Sequence, residues 1–244
     1  MSINFSLVLP CYNEEDNILP LYKEISELPL EDEKCEIVFV NNGSYDQTEK
    51  KIDKVISDNK NQNIIIKKLN LNKNRGYGGG IWEGVKVSSG EYLGWTHADL
   101  QTPLIDCLKL YRKIRGRNKI FGKGYRTNDR GFDGIISRFH EHCASIILGY
   151  KLRDINAQPK IFSKDFINYL TNVPNSIVLD TYATYVALEN KFKIETINVN
   201  FKNRIYGESK WKNRLSTFFG QIISNFFYLF KLRLLKTKND TKKF

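Results

Sequence analysis

Continuous apolar runs alternate with amphipathic segments through the first hundred residues. Continuous apolar runs at residues 6–10 and 36–40 predict strands buried in a parallel sheet. Two further strands are predicted at residues 64–71 and 91–95. Segments with helical spacing of apolar residues follow them, and these predicted helices are residues 17–28, 47–59, 75–88 and one that begins at Leu104, after Pro103. This alternation predicts right-handed crossovers and a mostly parallel sheet flanked by helices, the α/β class.

The second half of the chain is less regular. Two further strands are predicted at residues 120–123 and 193–200, and an edge strand at residues 158–162. Helices are predicted at residues 135–148 and 180–190, and polar loops at residues 125–134 and 204–211. His140 and His142 lie two residues apart on one of these helices, on different faces, so we interpret both as structural.

Near the C-terminus, apolar residues recur at i, i+3, i+4 and i+7 and predict an amphipathic helix. They are Leu215, Phe218, Phe219, Ile222, Ile223, Phe226, Phe227 and Phe230. This uncharged core is shorter than the ~20 residues that span a bilayer. We therefore divide the chain into an α/β domain, residues 1–211, and a basic helix and tail, residues 212–244.

Positive charge is concentrated on both sides of that helix. The net charge is +11, of which residues 200–214 contribute +4 and residues 231–244 contribute +5. A basic segment binds nucleic acid or an anionic membrane, but the aromatic residues here follow helical spacing and form no stacking platform for bases. Three placements of the helix remain: against its own domain, against a second copy in a homodimer, or in the membrane interface. The flanking cations favour peripheral binding to the cytoplasmic face of a membrane. Four scattered cysteines suit a reducing cytosol.

The stretch between residues 95 and 103 carries the clearest chemistry. His97, Asp99 and Gln101 follow a buried strand, at the sheet edge where α/β proteins bind ligands. Alternate residues of an extended segment point the same way, so these three side chains are expected to converge. Imidazole, carboxylate and amide oxygen together can hold one divalent cation. The alternative is a polar turn in which Asp99 caps a helix.

The glycine-rich run at residues 76–80 allows two interpretations. Its backbone N–H groups could cradle a phosphate at the start of a helix, or its glycines could permit close helix packing. It matches neither the dinucleotide-binding fingerprint nor the P-loop.

Four motifs occur in chain order: PCYNE at 10–14, NNGSxDxT at 41–48, HADLQxP at 97–103 and RxxGxSK at 204–210. Together they resemble the family 2 glycosyltransferases with the GT-A fold, and most closely their polyprenyl-phosphate, dolichol-phosphate mannose synthase-like branch. The resemblance runs from about residue 6 to residue 211. It implies an inverting transferase that moves a sugar from a nucleotide-diphospho-sugar to a polyprenyl phosphate.

The resemblance also implies roles for individual residues. Asp99, Arg204 and Lys210 would be catalytic, and His97, Asp99 and Gln101 would hold Mg²⁺ or Mn²⁺. Arg126 and Arg138 would bind the acceptor phosphate. The donor would be bound by Pro10, Tyr12, Glu14, Val40, Asn42, Ala98 and Gln101.

The chain departs from the family pattern at three positions. His97 stands where the family has Asp, and Asn41 and Asn42 stand where it usually has two Asp residues. One carboxylate fewer should weaken metal affinity. Asn42 can still donate and accept at a base edge but carries no charge, which leaves guanine, uracil and cytosine donors open.

Two other functions compete with the polyprenyl-phosphate assignment. A transferase acting on a glycan hydroxyl needs a carboxylate base, for which Asp180 comes first and Asp154 second; a helix cap is the plain alternative for Asp180. The third function is a non-catalytic binding protein that keeps the fold. The joint presence of Asp99, Gln101, Arg204 and Lys210 argues against it.

Overall fold

A seven-stranded sheet forms the centre of the computed structural model, which describes residues 2–128, 131–202, 204 and 224–234. The strands are β1 (Phe5–Cys11), β2 (Cys35–Asn41), β3 (Ile64–Asn70), β4 (Tyr92–Trp95), β5 (Ile120–Arg126), β6 (Lys160–Ser163) and β7 (Lys193–Val199). The helices are α1 (Glu15–Ser26), α2 (Thr48–Asp58), α3 (Gly76–Val87), α4 (Leu104–Ile114), α5 (Gly131–Leu148) and α6 (Leu179–Glu189). Residues 224–234 are also helical and are called α7 here.

The predicted parallel sheet is confirmed. The strand order is β3-β2-β1-β4-β6-β5-β7, and β3, β2, β1 and β4 are all parallel. Alternate residues of the apolar strands face opposite layers: Leu7 and Leu9 pack with α1, α2 and α4, whereas Val8 packs with α3, α5 and α6. Burial on both faces explains why these strands are apolar throughout.

The predicted edge strand at residues 158–162 is wrong in its position. The strand found there, β6, lies between β4 and β5 and is antiparallel to both. The physical reason is a buried ion pair, since Lys160 is fully buried in β6 with its Nζ 3.3 Å from Asp180. An internal strand can therefore carry a charged residue here. The loop predicted at residues 125–134 is also shorter than expected, because β5 continues to Arg126 and α5 begins at Gly131.

Only the second part of the predicted C-terminal helix falls within the described residues. There, α7 packs on its own domain through Leu229, which is fully buried, and through Tyr228, whose hydroxyl donates to the carbonyl of Asn172 at 3.2 Å. The ring of Phe226 lies 5.8 Å from that of His140 on α5, which agrees with a structural role for this histidine. The boundary predicted at residues 211 and 212 falls outside the described residues. No described helix is long and apolar enough to cross a membrane.

Candidate active site

The polar motifs meet at the carboxyl ends of β1, β2 and β4. Strand β1 pairs with β2 on one side and with β4 on the other, so chain connectivity reverses direction between β1 and β4. Open α/β sheets bind ligands at such a crevice. The loops after Cys11, Asn41 and Trp95 form its rim.

Side-chain hydrogen bonds join the first two of these loops. Asn13 adopts a left-handed backbone conformation, with φ of +54°, that asparagine tolerates. Its N–H donates to Ser44 Oγ at 3.0 Å, and its side chain accepts from the N–H of Tyr45 at 3.1 Å. This linkage fixes Tyr12, whose ring meets that of Tyr45 edge to face at 6.2 Å. The predicted donor residues Tyr12 and Glu14 therefore lie on one braced loop.

Asn42 is buried and its amide bonds the protein itself. Its Nδ2 donates to Gly76 O at 3.0 Å and to Asn74 Oδ1 at 3.3 Å, and its Oδ1 accepts from the N–H of Arg75 at 2.9 Å. Gly80 lies so close that a Cβ there would be 2.8 Å from Asn42 Nδ2. Both amide hydrogens of Asn42 are thus used to hold the loop that begins α3.

The glycine run packs closely against a neighbouring loop, as its second interpretation required. The N–H of Gly78 donates to the carbonyl of Asn175 at 2.9 Å, and a Cβ on Gly78 would lie 2.1 Å from the carbonyl oxygen of Pro174. This contact accounts for a glycine at that position.

The remaining predicted donor residues, Pro10, Val40 and Ala98, lie near the same crevice with little exposure. Val40 is fully buried at the end of β2, Ala98 is 3% exposed, and Pro10 is half-buried in β1. Their roles in donor binding stay predictions.

The segment after β4 is a tight turn, and the expectation of an extended segment is wrong. Leu100 has a φ of +61°, and the backbone N–H of Gln101 donates to Asp99 Oδ1 at 3.1 Å. His97 stacks its ring on Tyr77, with centroids 5.3 Å apart, while Gln101 Nε2 donates to the carbonyl of Lys202 at 3.1 Å. Local hydrogen bonding to Asp99 overrides the alternation of a strand.

Asp99 forms an ion pair with Arg204 across this turn. The carboxylate is 4% exposed, and its Oδ2 accepts from Arg204 Nη2 at 2.8 Å. The structure thus brings together two of the predicted catalytic residues. The third, Lys210, lies outside the described residues.

Asp180 lies in a buried polar network beneath the rim. Its carboxylate accepts from Trp95 Nε1 at 3.0 Å, from Gln158 Nε2 at 3.0 Å and from the Tyr77 hydroxyl at 3.2 Å. With Lys160 beside it, the side chain is 1% exposed, and it makes no helix-capping bond. Burial, together with the charge of Asp180, raises the pKa of Tyr77 well above its usual value. The sequence analysis did not find this network. The pairing of β4 with β6 would have indicated it, because the strand register places Trp95 opposite Lys160.

A second cleft, of about 280 Å³, lies at the end of β5. It is lined by Tyr125, Arg126, Asn128, Gly134, Ser137, Arg138, Glu141, Arg153 and Asp154. Both arginines predicted to bind the acceptor phosphate are here, together with Arg153, which the sequence analysis missed. Arg126 is held by Asp154, to which its Nε donates at 2.7 Å. Although burial raises the pKa of Asp154, its bonds and charge interaction with Arg126 lower it overall.

Phe201 connects this cleft to the Asp99 turn. The guanidinium of Arg126 lies 5.7 Å from the centre of the Phe201 ring. The backbone N–H of the next residue, Lys202, donates to the carbonyl of Gln101, and Gln101 Nε2 donates to the carbonyl of Lys202. One short segment therefore separates the arginine cleft from the carboxylate of Asp99.

The donor set at Asp99 fits a divalent cation that takes its other ligands from phosphate. Mg²⁺ is commonly held by one or two carboxylates plus substrate phosphates, and Asp99 is one nearly buried carboxylate in the turn that also carries His97 and Gln101. Among the described residues, no group of three or more His, Cys, Asp or Glu side chains is placed to hold a metal ion.

Comparison with known proteins agrees with the fold and the motifs. Dolichol-phosphate mannosyltransferase of Saccharomyces cerevisiae is 29% identical over 127 residues, which cover 51% of this chain and 46% of that protein. Bactoprenol glucosyl transferase of Shigella phage SfV is 31% identical over 162 residues, covering 65% of this chain and 48% of that protein. The chain thus spans about half the length of these relatives.

A solved structure shares the fold. Glucosyl-3-phosphoglycerate synthase from Mycobacterium tuberculosis, in complex with Mn²⁺, UDP and glucosyl-3-phosphoglycerate, superposes with a TM-score of 0.68 at 18% identity, covering 95% of this chain and 80% of that one. The family model for glycosyl transferase family 2 matches residues 6–179, most of the α/β domain. The chain therefore belongs to glycosyl transferase family 2.

Proposed function

We propose that the protein is an inverting glycosyltransferase that moves a sugar from a nucleotide-diphospho-sugar to a polyprenyl phosphate. The observation that carries this proposal is the closeness of two sites: the Asp99–Arg204 pair and the arginine cleft, joined through Phe201 and Lys202. The relatives named above, which act on dolichol phosphate and bactoprenol by their names, support the same acceptor class.

The donor end of the site handles negative charge. A nucleoside diphosphate leaves with growing charge, which fixed cations stabilise in the transition state. Arg204 supplies one such cation, and its pairing with Asp99 fixes the guanidinium at the rim. The braced loop that carries Tyr12 and Glu14 is proposed to hold the nucleoside, and Lys210 to join Arg204 at the phosphates.

The metal proposal rests on the same carboxylate. Mg²⁺ or Mn²⁺, when bound, would neutralise diphosphate charge, with Asp99 as its principal protein ligand and His97 and Gln101 beside it. Since Asp99 already bonds Arg204, the guanidinium and the cation would share one carboxylate.

The acceptor end is built for a phosphate. Arg126, Arg138 and Arg153 line the cleft, and guanidinium groups bind phosphate in a forked geometry. A phosphate oxygen is already anionic, so it can attack the anomeric carbon as the nucleoside diphosphate leaves, without a general base. Asp180 is consistent with this assignment, because its carboxylate is buried and bonded to Trp95 and Gln158.

One observation keeps a hydroxyl acceptor as the second candidate. Glu141 lines the same cleft, and burial raises the pKa of its carboxyl group. A carboxylate with a raised pKa is suited to taking a proton from a hydroxyl. A Glu141→Gln variant separates the two functions, since only the hydroxyl reaction needs a base.

A polyprenyl phosphate keeps its chain in the bilayer, so the enzyme must reach that surface. We propose that the basic C-terminal segment, residues 212–244, binds the cytoplasmic face peripherally. Residues 209–239 include seven Lys or Arg and no Asp or Glu, which supports attraction to anionic lipid. This placement includes no nucleic-acid partner; a homodimer is the alternative use of the helix.

The test combines each nucleotide-sugar donor with each class of acceptor. Purified protein is given GDP-, UDP- and CDP-sugars, each with undecaprenyl phosphate or with an oligosaccharide, and transfer and donor hydrolysis are both measured. We expect transfer to the lipid, lost in Arg138→Ala but kept in Glu141→Gln and in the control Arg117→Ala, whose side chain pairs with Glu195 away from the cleft. Transfer to the oligosaccharide alone, abolished by Glu141→Gln, would replace the proposal with the second candidate.

A further inference from the structure

Helix α5 carries an exposed apolar strip that no described element covers. Ile135, Phe139 and Ile146 are 55%, 65% and 69% exposed. At 100° per residue they lie within about 40° of one another on the helix. Large apolar side chains grouped on one helix face, rather than scattered, indicate an interaction surface.

The strip is next to the arginine cleft. Gly134, Ser137, Arg138 and Glu141 face the cleft from α5, and Arg138 is only about 60° around the helix from Ile135. Ala144 is buried in the core on the side of that cleft-facing sector away from the strip. The apolar strip therefore borders the mouth of the cleft.

Helix α7 continues the surface. Phe227, Phe230 and Leu234 are 72%, 53% and 64% exposed and share one face, whereas Leu229 is buried. The two helices touch through Phe226 and His140, and Arg233 lies near Gly149. The earlier residue of α7 contacts α5 and the later one lies near the residue that follows α5. The two helices therefore lie side by side and parallel, and the exposed strip of each faces solvent.

We propose that these six side chains, called the apolar platform here, enter the interface of an anionic lipid bilayer and place the arginine cleft at the depth of a lipid phosphate. The proposal extends membrane contact from the C-terminal segment to α5, inside the catalytic domain. Its functional meaning, though not the binding itself, rests on the proposed polyprenyl-phosphate acceptor.

Charge favours a bilayer over a second copy of the chain. The exposed cations around the platform include Arg138, Lys151, Arg153 and Lys231. Two acidic groups, Glu141 and Asp154, line the cleft, and a third, Glu189, accepts from the Tyr150 hydroxyl at 2.9 Å; Arg126 bonds Asp154. Two copies meeting through this face would bring like charges together, whereas anionic headgroups complement them.

The experiment uses the full chain with three substitutions in α5: Ile135→Ser, Phe139→Ser and Ile146→Ser. A matched control carries Ile56→Ser, Ile65→Ser and Val87→Ser, which are exposed apolar residues on α2, β3 and α3. Each protein is sedimented with vesicles of phosphatidylcholine and phosphatidylglycerol, and its mass is measured in solution by light scattering.

We expect the α5 variant to lose vesicle affinity by about tenfold or more, because three apolar side chains that would enter the bilayer are replaced by serine. The control variant should bind like the unsubstituted protein. Unchanged vesicle binding would overturn the proposal. A change from dimer to monomer in the α5 variant, with vesicle binding kept, would assign the platform to a second copy instead.

Activity separates this proposal from the proposed function. The α5 variant should transfer sugar normally to a short, water-soluble prenyl phosphate and poorly to undecaprenyl phosphate in vesicles. If the unsubstituted protein used neither acceptor, the proposed function would be wrong. The vesicle-binding result would still test whether the apolar platform binds a bilayer. Equal losses with both acceptors would mean that α5 shapes the site itself and would contradict the proposal.

Discussion

Asp99 and Arg204 are 105 residues apart in the sequence and form an ion pair with Arg204 Nη2 2.8 Å from Asp99 Oδ2. The carboxylate is nearly buried, and its other oxygen accepts the N–H of Gln101. This pair links the turn after β4 to the segment that follows β7. Both residues belong to motifs that resemble those of family 2 glycosyltransferases, so the pair is the natural place to test the site.

Replacing Asp99 with Asn should lower turnover by about 100-fold or more, the usual cost of losing a key electrostatic group. The fold should survive, since the amide oxygen can still accept from Gln101. Activity and thermal unfolding are measured beside Asp53→Asn, a control that removes a carboxylate from an exposed pair with Lys68. Near-normal turnover of the Asp99 variant with Mg²⁺ or Mn²⁺ would refute the proposed role of Asp99.

Removing the guanidinium of Arg204 should affect catalysis much more than stability. A partly exposed ion pair contributes about 1 kcal/mol or less to folding, whereas a cation at the leaving diphosphate acts in the transition state. Arg204→Ala is compared with Arg117→Ala, which breaks the surface pair with Glu195. The result against this prediction is an Arg204 variant with a lowered melting temperature and an unchanged rate.

The first half of the fold was predictable from sequence because β1 and β2 are apolar on both faces and the loops that follow them are polar. The position of β6 was not predictable, because a lysine in a short strand gives no sign of a buried partner 20 residues later. The tight turn at Leu100 was also missed, since it depends on the carboxylate of Asp99 bonding the backbone. Local motifs thus identified the rim residues, while contacts between distant residues determine how their side chains are oriented.

The cleft illustrates the same limit. Arg126 and Arg138 were expected at the acceptor phosphate from the resemblance, and the structure brings them together. Arg153 and Glu141 join them only because β5, α5 and the segment before β6 fold around one cleft. Nothing in the local sequence pattern indicates that these residues are neighbours.

Restoring the family's aspartate at Asn42 should destabilise the protein. The amide of Asn42 donates to Gly76 O and to Asn74 Oδ1, and a carboxylate would place negative charge against both acceptors. We expect Asn42→Asp to lower the free energy of unfolding by about 1–3 kcal/mol. Urea denaturation measures this, with Asn168→Asp as the control at an exposed asparagine. Equal stability of the Asn42 variant and the unsubstituted protein would mean that the loop rearranges freely.

Breaking the buried pair between Asp180 and Lys160 should cost about 3 kcal/mol of stability, as one charge is left unpaired in the interior. Asp180→Asn should therefore unfold at lower urea concentration, and the added substitution Lys160→Met should recover part of the loss. The folded fraction of Asp180→Asn should still transfer sugar to a phosphate acceptor. Normal stability with abolished transfer would instead make Asp180 a catalytic base.

Lys123 should make stability rise with pH. Burial, aided by the charge of Lys160, lowers its pKa from 10.5 to about 7. Between these two values the unfolded chain binds more protons than the folded one, so the free energy of unfolding increases as pH rises. Urea denaturation at pH 7, 8 and 9 should show a steeper increase for the unsubstituted protein than for Lys123→Met. Identical slopes for the two proteins would disprove the shift.

The most direct measurement of the central claim is the transfer of labelled sugar to undecaprenyl phosphate in vesicles by the purified full chain, with each nucleotide-sugar offered separately. The account predicts label in the lipid fraction, attached through a phosphate linkage with inverted anomeric configuration, and no label when Asp99→Asn replaces the unsubstituted protein. Label that enters only hydroxyl acceptors, or donor hydrolysis without transfer to lipid under every donor, would contradict it.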